Sequence, residues 1–359
     1  MILEVRSHFI YLESPHLICS GSIRSPAANC GIYGFKPTAF RIPTDGWRST
    51  MAGADPIPGV IGPMSTSLEG IKLFMKTILD SEPWLSEPAL IPIPWKSDLQ
   101  LSADKPLKIA VMWNDGVVTP HPPITRALLN EASRLKTIPN IEVVDWKPYL
   151  HDEAWVIISS LYFTDGGAED AATIAESGEP WRPLTTWMIK ENSCVKKLTP
   201  QKLYYWQEER EAYRKEYAKV WNETATGKDD RGRLRGMVDA ILCPVGPGVA
   251  PAHNTAKYWG YTSQWNLLDY PAVVFPTSMV DKTLDTVQIE TELLSGKDEE
   301  NWKLCQLLSR FYLDALGSLT GAGDPEEFDG LPISLQLIGR RFEDEKVLAT
   351  LEYILSYNS

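Results

Sequence analysis

One short run of the chain holds residue types suited to acyl transfer. It reads Gly21-Ser22-Ile23-Arg24-Ser25-Pro26-Ala27-Ala28-Asn29-Cys30-Gly31-Ile32-Tyr33-Gly34-Phe35-Lys36-Pro37-Thr38. A serine in a small-residue turn is an acyl-transfer nucleophile when a base takes its proton and backbone N–H groups face the oxyanion. Gly31 and Gly34 suit tight passage of the backbone. A lone serine in such a turn is far more often a cap or turn residue, so Ser22 needs support from elsewhere in the chain. The Gly-x-Ser-x-Gly nucleophile elbow is absent, which disfavours an α/β-hydrolase. His16 and His253 are the local alternatives for a base, and both read better as surface or hydrogen-bonding residues. Lys257 and Asp269 read as structural ion pairs and caps. The five cysteines, Cys19, Cys30, Cys194, Cys243 and Cys305, are scattered and form no Cys-x-x-Cys. That argues against a zinc cage or a disulfide framework and fits a reducing, cytoplasmic setting.

The run from Gly21 to Thr38 resembles the signature of the amidase signature family, a Gly-Gly-Ser-Ile-Arg-x-Pro-Ala core followed by Cys-Gly-x-x-Gly-x-Lys-Pro-Thr. Gly62-Pro63-Met64-Ser65 resembles the family's Gly-Pro-Met motif. Cys243-Pro244, the stretch from His253 to Pro276 and the stretch from Asp324 to Lys346 look like the fungal general amidase or acetamidase branch. The resemblance implies an α/β fold: a single domain around a mixed, mostly parallel sheet flanked by helices. It implies hydrolysis of a small monocarboxylic acid amide to carboxylate and ammonia, with Ser22 forming the acyl-enzyme. Backbone N–H groups of Cys19, Ser20, Gly21 and Ser22 itself would form the oxyanion hole. A desolvated neutral Lys and a bridging Ser complete the family's triad. Trp259, Tyr261, Trp265 and Tyr270 are implied as pocket residues. The flank departs from the pattern: Ile18 stands where the family has an Asp suited to pair with Arg24, and Ser20 where it has a Gly. None of the 21 residues ahead of Ser22 is a lysine, and the first, Lys36, matches the Lys-Pro-Thr motif. Residues 1–19 are therefore expected to be a non-family segment ahead of a partial, N-terminally truncated domain at 20–359. The run 292–323 is expected to be an insertion or a divergent helix. The alternative function is a catalytically inactive remnant or binding module.

These residues must be positioned by elements that the hydrophobic pattern predicts. Ser67–Ser81 has helical spacing of Ile71, Phe74, Met75 and Ile78, with Ser67 as N-cap. Leu107–Trp113, a helix over Thr125–Lys136 and Ile141–Asp145 form a βαβ-like unit. Thr199–Trp221 is a helix with a Thr-Pro start. Short apolar strands are expected at Ile241–Pro244, Ala272–Pro276 and Ile333–Ile338, and a closing helix at Glu343–Ile354. The first 65 residues, dense in Gly, Pro, Ser and Thr, read as loops around short strands. Asp229 to Arg235 reads as a solvated loop. The whole chain of 359 residues is 43% hydrophobic and 23% charged, an ordinary globular composition. Its 47 acidic residues against 35 basic ones give a formal charge of −12, unsuited to gripping nucleic acid. No apolar run is long enough to span a bilayer. No metal-ligand spacing and no phosphate-binding Gly loop are present, so no cofactor is expected. The expected partner is the small amide substrate, and a homodimer is compatible with the reading.

Overall fold

The computed structural model describes residues 21–97, 99, 101, 106–285, 293–313 and 328–357, with the backbone alone for 306–313. The expected segment 1–19 and the latter part of the 292–323 run lie outside the described residues. In chain order the elements begin with α1 (Arg24–Cys30), β1 (Tyr33–Lys36), β2 (Met64–Ser65), α2 (Leu68–Asp80), β3 (Leu107–Val111) and α3 (Pro122–Leu135). Next come β4 (Ile141–Asp145), α4 (His151–Tyr162), α5 (Ala168–Ser177), α6 (Pro183–Thr186), α7 (Pro200–Glu223), β5 (Gly227–Lys228) and β6 (Leu234–Arg235). The last are β7 (Ala240–Pro244), α8 (Gly260–Leu267), β8 (Ala272–Met279), α9 (Gly296–Leu313), β9 (Pro332–Ile338) and α10 (Asp344–Leu355).

A seven-stranded sheet in the order β2-β1-β8-β9-β7-β3-β4 forms the centre. It is mixed, and helices flank it, as expected for an α/β fold. Its parallel pairings are β7–β3 and β3–β4, the side built by the βαβ unit through α3. The pairings β2–β1, β1–β8, β8–β9 and β9–β7 are antiparallel, a larger antiparallel share than expected. The residues alternate between the two faces, as the pleat requires. Ile109, Val111, Leu242, Val273 and Phe275 face one core with the apolar sides of α2, α3 and α10. Ala110, Ile241, Cys243 and Ala272 face a second core with α4, α7 and α8. Asp229 to Arg235 forms the exposed β5–β6 turn, with Arg233 and Arg235 paired to Asp229. No helix among the described residues is long and apolar enough to cross a membrane.

Candidate active site

Ser22 stands at the head of α1, a helix within the first 65 residues, where loops around short strands are expected. The helix follows Gly21 through a hydrogen bond from the Ser25 N–H to the Gly21 carbonyl at 2.7 Å. It ends at Gly31, whose φ of 65° is the left-handed cap that glycine adopts cheaply. Gly21 is equally constrained: its φ is +114°, and a Cβ there would lie 2.6 Å from Thr262 Oγ1. A glycine immediately ahead of Ser22 therefore follows from the close approach of α8.

Arg24 fixes the first turn of α1. Its guanidinium is 1% exposed and donates to Gln336 Oε1 (3.1 Å), the Thr262 carbonyl (2.8 Å) and Asn266 Oδ1 (2.6 Å). Burial lowers its pKa to about 10, so it remains charged at neutral pH, solvated by neutral dipoles.

Downstream, Lys36 is a strut. Its ammonium donates to the Pro37 carbonyl (2.9 Å) and the Tyr270 carbonyl (3.2 Å) and pairs with Asp269 (3.4 Å). Burial pulls its pKa below the usual lysine value, and Asp269 opposes that pull. Asp269 also accepts from the Ala39 N–H and from Arg341, so its expected structural ion pair is present. Thr38 bonds Asp344 through both N–H (2.8 Å) and hydroxyl (2.7 Å), and Arg41 grips Glu345 with two bonds. The Lys-Pro-Thr run and the C-terminal motif thus meet in space across more than 300 residues.

Ser22 lines a cavity of about 1070 Å³, whose wall includes Trp47, His121, Tyr258, Trp259 and Trp302. Of the four expected pocket aromatics, Trp259 lines this cavity, set edge-on to Trp187 with ring centroids 5.1 Å apart. Tyr261, Trp265 and Tyr270 are placed otherwise: they are core side chains of the second cluster. The Tyr261 hydroxyl donates to the Val118 carbonyl, and Trp265 stacks on Tyr270. The physical reason is that α8, which carries Tyr261 and Trp265, is buried along nearly its whole length, while Tyr270 follows it and packs on Tyr217, Trp221 and Trp265. Trp259 precedes the helix and is only partly buried against the same core, so it also reaches the cavity. Lys257 lines the cavity, and His253 is exposed. Cys19, Ser20 and His16 lie outside the described residues.

Several site residues escaped the sequence reading. His121 sits ahead of α3 with Nε2 2.8 Å from Asn301 Nδ2 and its ring 5.0 Å from that of Trp302. Burial drops its pKa to about 4, so the imidazole is neutral. Asp115 is buried behind Tyr258 and accepts from that hydroxyl and from the N–H groups of Val117 and Val118 at 2.9 Å. Desolvation lifts its pKa to about 6 against those three donors. Helix α9 supplies Asn301 and Trp302, so part of the run 292–323 is cavity wall. Only the Pro-Pro after His121 hinted at a helix start; the remaining contacts are between distant segments.

The Amidase family model matches residues 19–348. An acetamidase of Emericella nidulans is 34% identical over 341 residues, covering 93% of this chain and 57% of its own. An acetamidase of Aspergillus oryzae is 33% identical over 341 residues, with the same two shares. The solved structure of a fatty acid amide hydrolase superposes with a TM-score of 0.80 at 30% identity, over 94% of this chain and 54% of that one. The chain thus spans little more than half the length of these relatives. With the signature run folded around Ser22 and the match extending from residue 19 to 348, the chain belongs to the amidase family.

Proposed function

We propose that the chain hydrolyses an amide of a small monocarboxylic acid through an acyl-Ser22 intermediate. The observation that carries this reading is the place of Ser22: on the wall of the large cavity, at the head of α1, inside the family-matched stretch. Ser22 Oγ attacks the amide carbon and the C–N bond breaks. The amine leaves with a proton, as ammonia from a primary amide. Water then cleaves the ester to carboxylate and returns the serine. In this reading the N–H groups of Gly21 and Ser22 face the oxyanion, where one such donor is worth roughly 10²–10³ in rate. The relatives named acetamidase and fatty acid amide hydrolase support an amide as substrate. Trp47, Trp259 and Trp302 offer apolar surface for its acyl group.

Lys36 is not the base in this reading, because its ammonium is engaged by two carbonyls and Asp269. A second reading, a binding chain without turnover, has its own support. The Ser22 hydroxyl has no hydrogen-bonded base among the described residues. Treatment of the purified chain with a fluorophosphonate probe, followed by mass spectrometry, separates the two. An adduct on Ser22, absent from Ser22→Ala, is the expected result. A folded chain that stays unlabelled would overturn the acyl-enzyme reading and favour the second.

A further inference from the structure

We propose that Gln336 is a positioning residue for Ser22, acting through Arg24; the inference rests on the reading of Ser22 as nucleophile. Gln336 lies in the middle of β9, fully buried, in a strand otherwise read as apolar. A buried amide is costly in such a place unless both of its ends are satisfied. Both are. Nε2 donates to the carbonyls of Pro244 (2.7 Å) and Tyr261 (2.8 Å), and Oε1 accepts from Arg24 Nη1 (3.1 Å). Arginine can only donate and a carbonyl can only accept, so these partners fix which end of the amide points where.

The consequence is mechanical. One side chain ties α1 to β7, β9 and α8. The other two bonds of Arg24 both go to α8, at the Thr262 carbonyl and Asn266. Without the Gln336 amide, α1 is held by its arginine to a single neighbour. Ser22 is two residues ahead of Arg24, and the Ser25 N–H bond to the Gly21 carbonyl makes its turn continuous with that first helical turn. A displacement of about 1 Å at a reacting group costs on the order of 100-fold in rate. No other residue type fulfils both demands: Glu keeps an acceptor for Arg24 but sets carboxylate oxygen against two carbonyls, and Met provides neither.

The test is a double-mutant cycle on the rate at which a fluorophosphonate probe labels Ser22 in the purified full chain. The variants are Gln336→Met, Arg24→Lys and the double, with thermal melts confirming that each is folded at the assay temperature. Lys keeps the charge but loses the planar fork. Trp221→Phe, which removes the bond from Trp221 Nε1 to the Val238 carbonyl in the second core, controls for lost stability alone. Gln336→Met is expected to slow labelling about 10- to 100-fold. The double should be no slower than the worse single, because both act on one path. Trp221→Phe should label at the wild-type rate. Should Gln336→Met not fold, Gln336→Glu replaces it in the same cycle and is expected to lose less, since it still anchors Arg24. A folded Gln336→Met that labels within about twofold of wild type would sink the proposal, as would multiplying losses in the double or an equal loss in Trp221→Phe. An unlabelled wild type would overturn the nucleophile reading together with this one.

Discussion

Asp115 is a buried carboxylate whose protonation falls close to neutrality. Burial raises its pKa from 3.8 to about 6 while three donors hold it down, one of them the Tyr258 hydroxyl. Replacing Tyr258 by Phe removes a donor to the charged form, so the Asp115 titration should move upward, visible in the carboxyl region of a pH-resolved infrared difference spectrum. An unchanged midpoint would mean that Tyr258 does not control this carboxylate. Gly21 makes a different demand. At φ +114° with Thr262 so close, Gly21→Ala combines left-handed strain of about 1–3 kcal/mol with a clash. It should lower Tm and slow labelling of Ser22 together; a variant with wild-type values of both would refute this account of the turn.

Among the elements, legibility followed the strength of local signals. Helix α2 could be read because Ser67 caps it, accepting from the Gly70 N–H at 3.1 Å, and because Ile71, Phe74 and Met75 repeat on one face. Ser67→Ala should cost about 1 kcal/mol in denaturant unfolding. Strand β4 and helix α7 emerged within a residue or two of their expected bounds for the same reason. Helix α1 could not be read. It is seven residues long with a proline in its first turn, and what holds it is Arg24 reaching partners 238 to 312 positions away. Strand β9 was visible as a short apolar run, but a glutamine within ISLQLI gives no local hint that it serves another element. Tyr261, Trp265 and Tyr270 were expected at the pocket from the resemblance alone, and resemblance in sequence does not say which side of an element meets a cavity. The signature run located Ser22; the walls around it, His121, Tyr258 and Trp302, come together only through the topology.

For the whole molecule, two buried histidines work against the fold in acid. His151 and His121 are buried neutral, with pKa values lowered by desolvation to about 3 and about 4 from 6.5. Unfolded histidine takes up a proton below 6.5 while the folded one does not, so stability is lost as pH falls from there through the folded values. Asp115 acts the other way: its folded pKa is raised, so its contribution is full below 3.8 and is lost as pH rises through about 6. Asp344, also buried with its pKa raised by desolvation, acts in the same direction as Asp115. His151 has neither ring nitrogen hydrogen-bonded among the described residues and sits edge-on to Trp265, 6.0 Å between centroids. His151→Phe should therefore raise Tm at neutral pH and gain a further 1.4 kcal/mol or so over wild type for each unit below 6.5. A parallel pair of stability–pH curves would disprove it. The bonds of Thr38 to Asp344 and of Arg41 to Glu345 bear on the timing of synthesis as well. A ribosome adding about 5–20 residues per second makes Ser22 first and reaches Asp344 roughly 15–65 s later. Until then the signature run lacks the acidic side chains that lock it, so the surroundings of Ser22 are among the last parts of the nascent chain to become fixed.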